Sequence, residues 1–395
     1  MFEKGSIIYI GGFELPDRNA AAHQVLNNAK ILTKLGYKVV FCGVNKSCYQ
    51  ETPFAHELVQ GFDSYPLPYP SSLFGWVKYM LGFKSIKRVI EMHPDAKCVI
   101  AYNVHAIPMI RLLSFCKKKN IRVIANITEW YENPVSLSPI KMIKAIDTAL
   151  VMKKVYKRVD GIIAVSSYLK DYYINSVNNT IVIPPLVDIN EEKWHHCKHI
   201  CNQKVEFVYS GTIGNDKGNS KDLLCPIIDC LDSCFSDDSF HVSIVGITKD
   251  DFLMIFPNMC EKIEHLDNRV SFYGRVSHNE SISKLIQADY CIFVRESTRK
   301  NNAGFPTKFV EGWTSGLNFI ASDISDIAQY FPNDKFNMIL DDNSPETIMN
   351  AIQKAVSFTP SELADNRRNG LQPNNPFYIN NWMSIMEEFL NQIVL

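Results

Sequence analysis

The residues best placed to do chemistry lie between Arg295 and Ser322, where the chain reads RESTRKNNAGFPTKFVEGWTSGLNFIAS. The segment follows an apolar, strand-like run, passes through a polar glycine loop and opens a helix at about Pro306. Proline is favoured in a first helical turn, where its missing N–H costs nothing. Gly304 lets the backbone approach a ligand closely. The free N–H groups of Phe305, Thr307 and Lys308 would point at that ligand together with the positive end of the helix dipole, and Lys308 adds a formal charge. Glu311 lies one turn inside the helix, on the side of Thr307 and Lys308. A carboxylate there can accept two hydrogen bonds from vicinal hydroxyls, the usual grip on a ribose. The pattern predicts a diphosphate site with a ribose beside it; the plainer alternative is a capped surface helix carrying an unrelated lysine and glutamate.

Other segments offer weaker chemistry. Tyr209-Ser210-Gly211-Thr212, followed by Asp216-Lys217-Gly218, is a glycine loop with a lysine at a strand end, which suits phosphate; a bare hairpin loop is the alternative. Gly274 permits a turn after Val270–Tyr273, with Arg275 next. Near the N-terminus Gly11-Gly12 closes a short apolar run, and Arg18, Asn19 and His23 follow at a helix start, where they could meet an acceptor or a phosphate. His105 sits just beyond the strand-like CVIAYNV, as a site residue or a structural hydrogen-bonder. In Thr128-Glu129-Trp130-Tyr131-Glu132, aromatic rings next to carboxylates suit sugar binding or anchor a loop. The seven residues His195–Cys201 crowd their candidate ligands without a second couple, unlike zinc sites. No Asp-x-Asp triplet is present, so no metal cofactor is expected, and lysine plus a helix dipole would take its place.

These residues need a scaffold, and the chain supplies two. Its 395 residues exceed the roughly 250–300 that one core usually organises. Apolar runs at Ser6–Ile10, Lys38–Val44, Lys97–Tyr102, Arg122–Asn126 and Gly161–Val165 alternate with helical stretches at Asn19–Leu35, Ile107–Lys118, Pro139–Val159 and Tyr168–Ser176. The second half repeats the scheme, with strands at Val205–Tyr209, Phe240–Val245, Val270–Tyr273, Tyr290–Val294 and Asn318–Ala321. Its helices are Lys221–Phe235, Glu280–Ala288 and Thr307–Ser315. Such alternation predicts parallel sheets covered on both faces, which bind ligands beyond the carboxyl ends of their strands. The polar, proline-led stretch from Pro184 to about Gln203 reads as a linker. Domains are therefore expected at 1–187 and 188–379, with a terminal helix, 380–395, whose Trp382, Ile385, Met386, Phe389 and Ile393 recur at helical spacing. That helix is expected to cross back to the first domain and, with the Pro184–Asp188 hinge, to limit the domains to opening and closing.

Composition is that of a folded protein, 46% hydrophobic and 21% charged. No apolar run approaches the roughly 20 residues of a membrane span, and no secretory leader is evident. Eleven scattered cysteines suit a reducing, cytoplasmic setting. Charge is divided: residues 1–187 hold 23 Lys+Arg against 13 Asp+Glu, or +10, leaving 18 against 29, or −11, for the rest. A cationic first half suits an anionic membrane surface or a phosphate-bearing substrate, or is solvated surface. Ser71–Arg88 and Pro139–Arg158, basic and amphipathic, could lie on such a membrane or pack on the sheet. No nucleic-acid partner is expected.

The Arg295–Ser322 segment resembles the donor-binding motif of family 4 glycosyltransferases, which have the GT-B fold: two doubly wound, Rossmann-like parallel-sheet domains facing a cleft. The likeness runs the length of the chain, and AGFPTKFVE is similar to the branch active in polysaccharide and surface-glycan assembly. It implies that Glu311 holds the nucleotide ribose. The family's first glutamate falls at Ala303, and Glu296, earlier in the loop, could supply a substitute carboxylate. Lys217 matches one of the family's basic pair over the donor diphosphate, and Thr212 stands where the other is an arginine. Gly274 and Arg275 fall at the nucleobase loop, Gly211 at the loop before the diphosphate, and Gly11 and Gly12 near the reaction centre. The implied activity is transfer of a sugar, with retention, from a nucleoside-diphosphate sugar (UDP ahead of GDP) to a glycan or lipid-linked acceptor. Gly12, His105, Lys217 and Lys308 are the candidate catalytic residues, and Arg18, Asn19, His23, Glu129 and Trp130 lie on the acceptor side. A non-catalytic nucleotide- or glycan-binding subunit and a sugar-nucleotide epimerase of the same fold are the alternatives.

Overall fold

A computed structural model describes residues 3–16, 18–47, 56–131, 139–211, 213, 221–234 and 239–394. By contact the chain forms two units, Met1–Leu186 with Ile379–Leu395, and Val187–Tyr378.

In the first unit the strands are β1 (Ser6–Gly11), β2 (Lys38–Cys42), β3 (Val44–Asn45), β4 (Glu57–Val59), β5 (Phe62–Ser64), β6 (Leu67–Pro68), β7 (Ala96–Tyr102), β8 (Arg122–Ile127), β9 (Gly161–Ala164) and β10 (Thr180–Val182). Eight form one sheet in the order β10-β9-β8-β7-β1-β2-β5-β4, and β3 pairs separately with β6. Among the described residues only β4 runs antiparallel, against β5. Ile7, Ile8, Tyr9 and Ile10 are fully buried in β1, as a central strand covered on both faces requires. The helices are α1 (Ala20–Lys34), α2 (Leu73–Leu81), α3 (Lys84–Glu91), α4 (Ala106–Lys119), α5 (Pro139–Leu150) and α6 (Ser167–Tyr173). The helical run expected to reach Val159 ends at Leu150; a π turn, Val151–Val155, and a 3-10 turn, Tyr156–Arg158, follow, where Val151, Met152, Val155 and Tyr156 are all buried. The short strands from β3 to β6 carry too few apolar residues to have announced themselves.

The second unit has six strands: β11 (Val205–Ser210), β12 (Phe240–Val245), β13 (Val270–Phe272), β14 (Tyr290–Phe293), β15 (Asn318–Ser322) and β16 (Met338–Leu340). They form an all-parallel sheet ordered β13-β12-β11-β14-β15-β16. Around it lie α7 (Leu224–Cys234), α8 (Lys249–Ile255), α9 (Cys260–Leu266), α10 (His278–Gln287), α11 (Arg299–Ala303), α12 (Thr307–Thr314), α13 (Pro345–Val356) and α14 (Pro360–Asp365). Ser277 caps α10, accepting from the Glu280 N–H at 3.2 Å. The glycine loop before Pro306 is not wholly irregular: α11 forms within it, started by the Thr298 side chain at the Asn301 N–H.

The last helix, α15 (Met383–Val394), belongs to the first unit. Met386, Phe389, Leu390 and Ile393 are its buried face. Phe389 and Ile393 press on Gly161 at the start of β9, where an added Cβ would stand 2.3 Å from Ile393 Cδ1.

Each sheet reverses its strand order once. In the first, the chain works outward from β1 to β2 and then returns to β7 on β1's other side; in the second, it works from β11 to β12 and β13 and returns to β14. The crevices at β1/β7 and β11/β14 are the switch points at which such sheets bind ligands.

Candidate active site

At the second switch point, β14 delivers Arg295 and the following loop leads into α12. The side chains of Arg295 and Lys308 meet on Asp222, which precedes α7. Lys308 Nζ donates to Asp222 Oδ2 at 2.9 Å and Arg295 Nε to Oδ1 at 2.5 Å. The Tyr209 hydroxyl, from β11, donates to Oδ2 at 2.9 Å, and the Lys308 ammonium lies 4.0 Å from the Tyr209 ring centroid. Burial alone would raise the Asp222 pKa, but Lys308 and Arg295 overcome it and hold the carboxyl well below its usual range. Burial lowers Lys308, and Asp222 only partly restores it. Two cations share one carboxylate, so the cluster keeps one positive charge. An added Cβ at Gly211 would come within 2.8 Å of Lys308 Nζ; glycine leaves the space beside that cation open.

Pro306 is the N-cap of α12 and supplies no side-chain cap, so the first N–H groups, Thr307 and Lys308 among them, have no acceptor within the helix. One turn inside, Glu311 Oε1 lies 3.0 Å from His278 Nε2, from the first turn of α10. His278 was not anticipated, nor were Asp222 and Arg295. The Ser277 cap was the available signal for His278, since it fixes α10's first turn.

The remaining donor-side residues scatter more. Gly304 ends α11 and Phe305 is buried among Phe309, Tyr330 and Phe377, so Phe305 contributes backbone and packing. Glu296 is exposed and its carbonyl accepts from Asn301 Nδ2. Ala303 is fully buried. Gly274 takes a left-handed φ of +65° in the turn after β13, with Arg275 exposed beyond it. Thr212 and Lys217 lie outside the described residues.

At the first switch point, Gly11 ends β1 with φ +139°, and a Cβ there would stand 1.8 Å from the Tyr102 carbonyl oxygen. No other residue fits so close to β7. The Gly12 N–H donates to that carbonyl at 3.1 Å. His105 precedes α4. Its Nδ1 lies 2.6 Å from Asp147 Oδ2, while Asp147 Oδ1 accepts from the Ala106 N–H at 2.9 Å. A carboxylate at Nδ1 requires the proton there. The ring stands edge-on to Tyr79, centroids 5.4 Å apart. His105 and Gly11 line a cavity of about 460 Å³ with residues of α2, α3 and α4.

The acceptor-side candidates divide. Asn19 caps α1, accepting from the Ala22 N–H at 2.9 Å, and Arg18 bonds Glu14, Asn45 and Ser47. His23 lies in the first turn of α1 and is partly buried. Trp130 is 4% exposed and packed edge-on against Tyr172, so it anchors its loop and offers no ring face to a sugar. Glu129 is half-buried beside it.

Two units, each built on a largely parallel, doubly wound sheet with one switch point, define a protein of the GT-B fold. Residues 21–191 match the model of Glycosyltransferase Family 4 and residues 205–357 that of Glycosyl transferases group 1. The chain belongs to the family 4 glycosyltransferases. Similar solved structures include sucrose-phosphate synthase from Thermosynechococcus elongatus, with a TM-score of 0.70 at 12% identity over 98% of both chains. Anabaena Alr3699/HepE in complex with UDP and glucose gives 0.65 at 13% identity, over 98% of this chain and 99% of that one. A glycosyltransferase from Rickettsia africae gives 0.67 at 16% identity over 99% of both. No curated protein matches the chain in sequence.

Proposed function

We propose that this glycosyltransferase takes its sugar from a nucleoside-diphosphate sugar, UDP ahead of GDP, and passes it with retention to a glycan or lipid-linked acceptor in polysaccharide or surface-glycan assembly. The observation that carries the reading is the pair Lys308 and Arg295 sharing Asp222 at the β11/β14 switch point, beside the uncapped start of α12. A diphosphate entering there competes with Asp222 for two cations and meets the helix N–H groups. The same groups stabilise the charge that grows on the leaving diphosphate, so transfer needs no bound metal. Glu311, oriented by His278, takes the ribose hydroxyls. UDP in the Anabaena structure supports the choice of base. On the first unit, the Gly11-Gly12 turn and His105 orient the acceptor, with the basic half against the inner face of a membrane. No helix among the described residues is long and apolar enough to cross one.

Titration calorimetry with UDP, GDP, ADP and dTDP tests the donor reading. UDP should bind most tightly, and both Lys308→Ala and Glu311→Ala should weaken it. Binding that neither substitution changes would overturn the assignment.

Ala303, where the family carries a glutamate, is fully buried, which favours a second reading, a nucleotide-binding subunit without turnover. UDP binding with no transfer across a broad acceptor panel would support it.

A further inference from the structure

The cavity at the first switch point has a lining whose chemistry the donor site does not use. Lys78 of α2, Lys84 of α3 and Arg111 of α4 all contribute to it, and none of the described residues lining it is acidic. Arg111 is steadied by one bond to the Leu81 carbonyl, which leaves most of its donors for a ligand. Among the described residues no carboxylate pairs with Lys78 or Lys84. By contrast, the start of α4 beside this cavity already holds a carboxylate, Asp147.

The surface around the cavity is apolar to an unusual degree. Helix α2, LFGWVKYML, has no buried residue at all. Leu73, Phe74, Val77 and Leu81 are exposed, Phe74 at 78%. Helix α5 repeats the spacing with Met142, Ile143, Ile146 and Leu150, all exposed. Both helices pack on α4 and converge at His105, which touches Tyr79 of α2 and Asp147 of α5. Neither α2 nor α4 contains an acidic residue, and the one in α5 is held by His105. Exposed apolar rows flanked by uncompensated cations complement an anionic bilayer rather than water.

We infer that the cavity binds the phosphate group of a membrane-borne lipid phosphate, with the headgroup among Lys78, Lys84 and Arg111 and the adjoining chains against the exposed faces of α2 and α5. The inference rests on reading the first unit as the acceptor side, and it names the acceptor's class. A phosphate needs cations that own no counter-ion, and the lining supplies them. An aliphatic chain needs apolar surface continuous with that lining, and α2 and α5 supply it. Sugar would thus reach a hydroxyl carried by an amphiphile while Lys78, Lys84 and Arg111 hold its charge.

Vesicle flotation of the full chain is the test. The protein should float with phosphatidylcholine vesicles containing phosphatidate, a phosphomonoester, and not with phosphatidylcholine alone. It should prefer phosphatidate over phosphatidylglycerol at matched surface charge. Lys78→Glu/Lys84→Glu should cut the binding on the order of tenfold or more, and Phe74→Ser/Ile146→Ser should release the protein from vesicles. Lys78→Gln/Lys84→Gln serves if charge reversal lowers the melting temperature. UDP affinity, measured in parallel, should be unchanged in every variant. Equal binding to both anionic lipids, or insensitivity to the lysine substitutions, would overturn the inference. So would glucose 6-phosphate binding as tightly as the vesicles in both the wild type and the Phe74/Ile146 variant, because the ligand would then be a soluble phosphate. Wild-type protein that binds phosphatidate vesicles but no UDP would remove the donor reading and leave the lipid-phosphate pocket standing.

Discussion

Lys308 Nζ lies 2.9 Å from Asp222 Oδ2, although the two residues are 86 positions apart. The carboxylate also accepts from Arg295 and Tyr209, so before any donor arrives the two cations are already drawn together at the β11/β14 crevice. Asp222 is an internal stand-in for an anion, and what it releases decides how the site responds to substitution.

Replacing Asp222 with Asn strands two cations in a buried site, and breaking such a pair costs about 3–5 kcal/mol. Because burial opposes the ionised form but Lys308 and Arg295 prevail, the folded-state pKa is depressed. The carboxylate's contribution is therefore fully present above about pH 4, the ordinary value for Asp, and is lost as pH falls below it. Urea unfolding from pH 2 to 7 should show a constant gap between the wild type and Asp222→Asn above about pH 4 and a narrowing gap below it. A gap that stays constant over the whole range would refute the ionic account.

Lys308→Ala should weaken UDP by roughly ten- to a hundredfold, as loss of a charged hydrogen bond does, while leaving uridine unaffected. Glu311→Ala should weaken UDP and uridine alike if, as proposed, Glu311 takes the ribose hydroxyls. Burial lowers the Lys308 pKa, so UDP affinity should fall as pH rises at a point below the usual lysine value of about 10.4. Calorimetry at several pH values separates these effects; uridine binding that falls with Lys308→Ala would mean the residue is not on the phosphate.

Asp147 fixes the His105 ring and caps α4 with one carboxylate. In Asp147→Asn an oxygen remains for the Ala106 N–H but the charge facing Nδ1 is gone. Turnover should fall by roughly tenfold or more, with UDP affinity and melting temperature little changed. Asp147→Ala, which also removes the cap, should cost about 1 kcal/mol besides. Full activity in Asp147→Asn would make the His105–Asp147 contact purely architectural.

Phe389→Ala opens a void under α15 and should destabilise the first unit by about 3–5 kcal/mol. Gly161→Val forces a side chain into the same contact and should cost about 1–3 kcal/mol. Both effects should appear in thermal melts while UDP affinity holds. Unchanged melting in both variants would mean that α15 lies elsewhere in solution.

The long elements were legible because their signals are local. Four consecutive buried apolar residues mark β1, Asn19 and Ser277 start α1 and α10 through their own side chains, and the Pro306–Glu311 run places Lys308 and Glu311 one turn apart. The site's supporting residues were not legible for the opposite reason. Asp222, His278 and Asp147 each act on a partner 33 to 86 positions away, and no local pattern distinguishes them from other polar residues. Trp130 shows the reverse error: a ring beside a carboxylate looks the same in sequence whether it faces solvent or Tyr172.

The return of α15 to the first unit also sets an order of events at the ribosome. The face of β9 that receives Phe389 and Ile393 is made early, but its cover is translated only after all of Val187–Tyr378. At ordinary elongation rates that interval is roughly 10–40 s. For that time the nascent first unit carries an uncovered apolar groove at Gly161, a natural target for a chaperone, and its folding finishes only once α15 itself has been made.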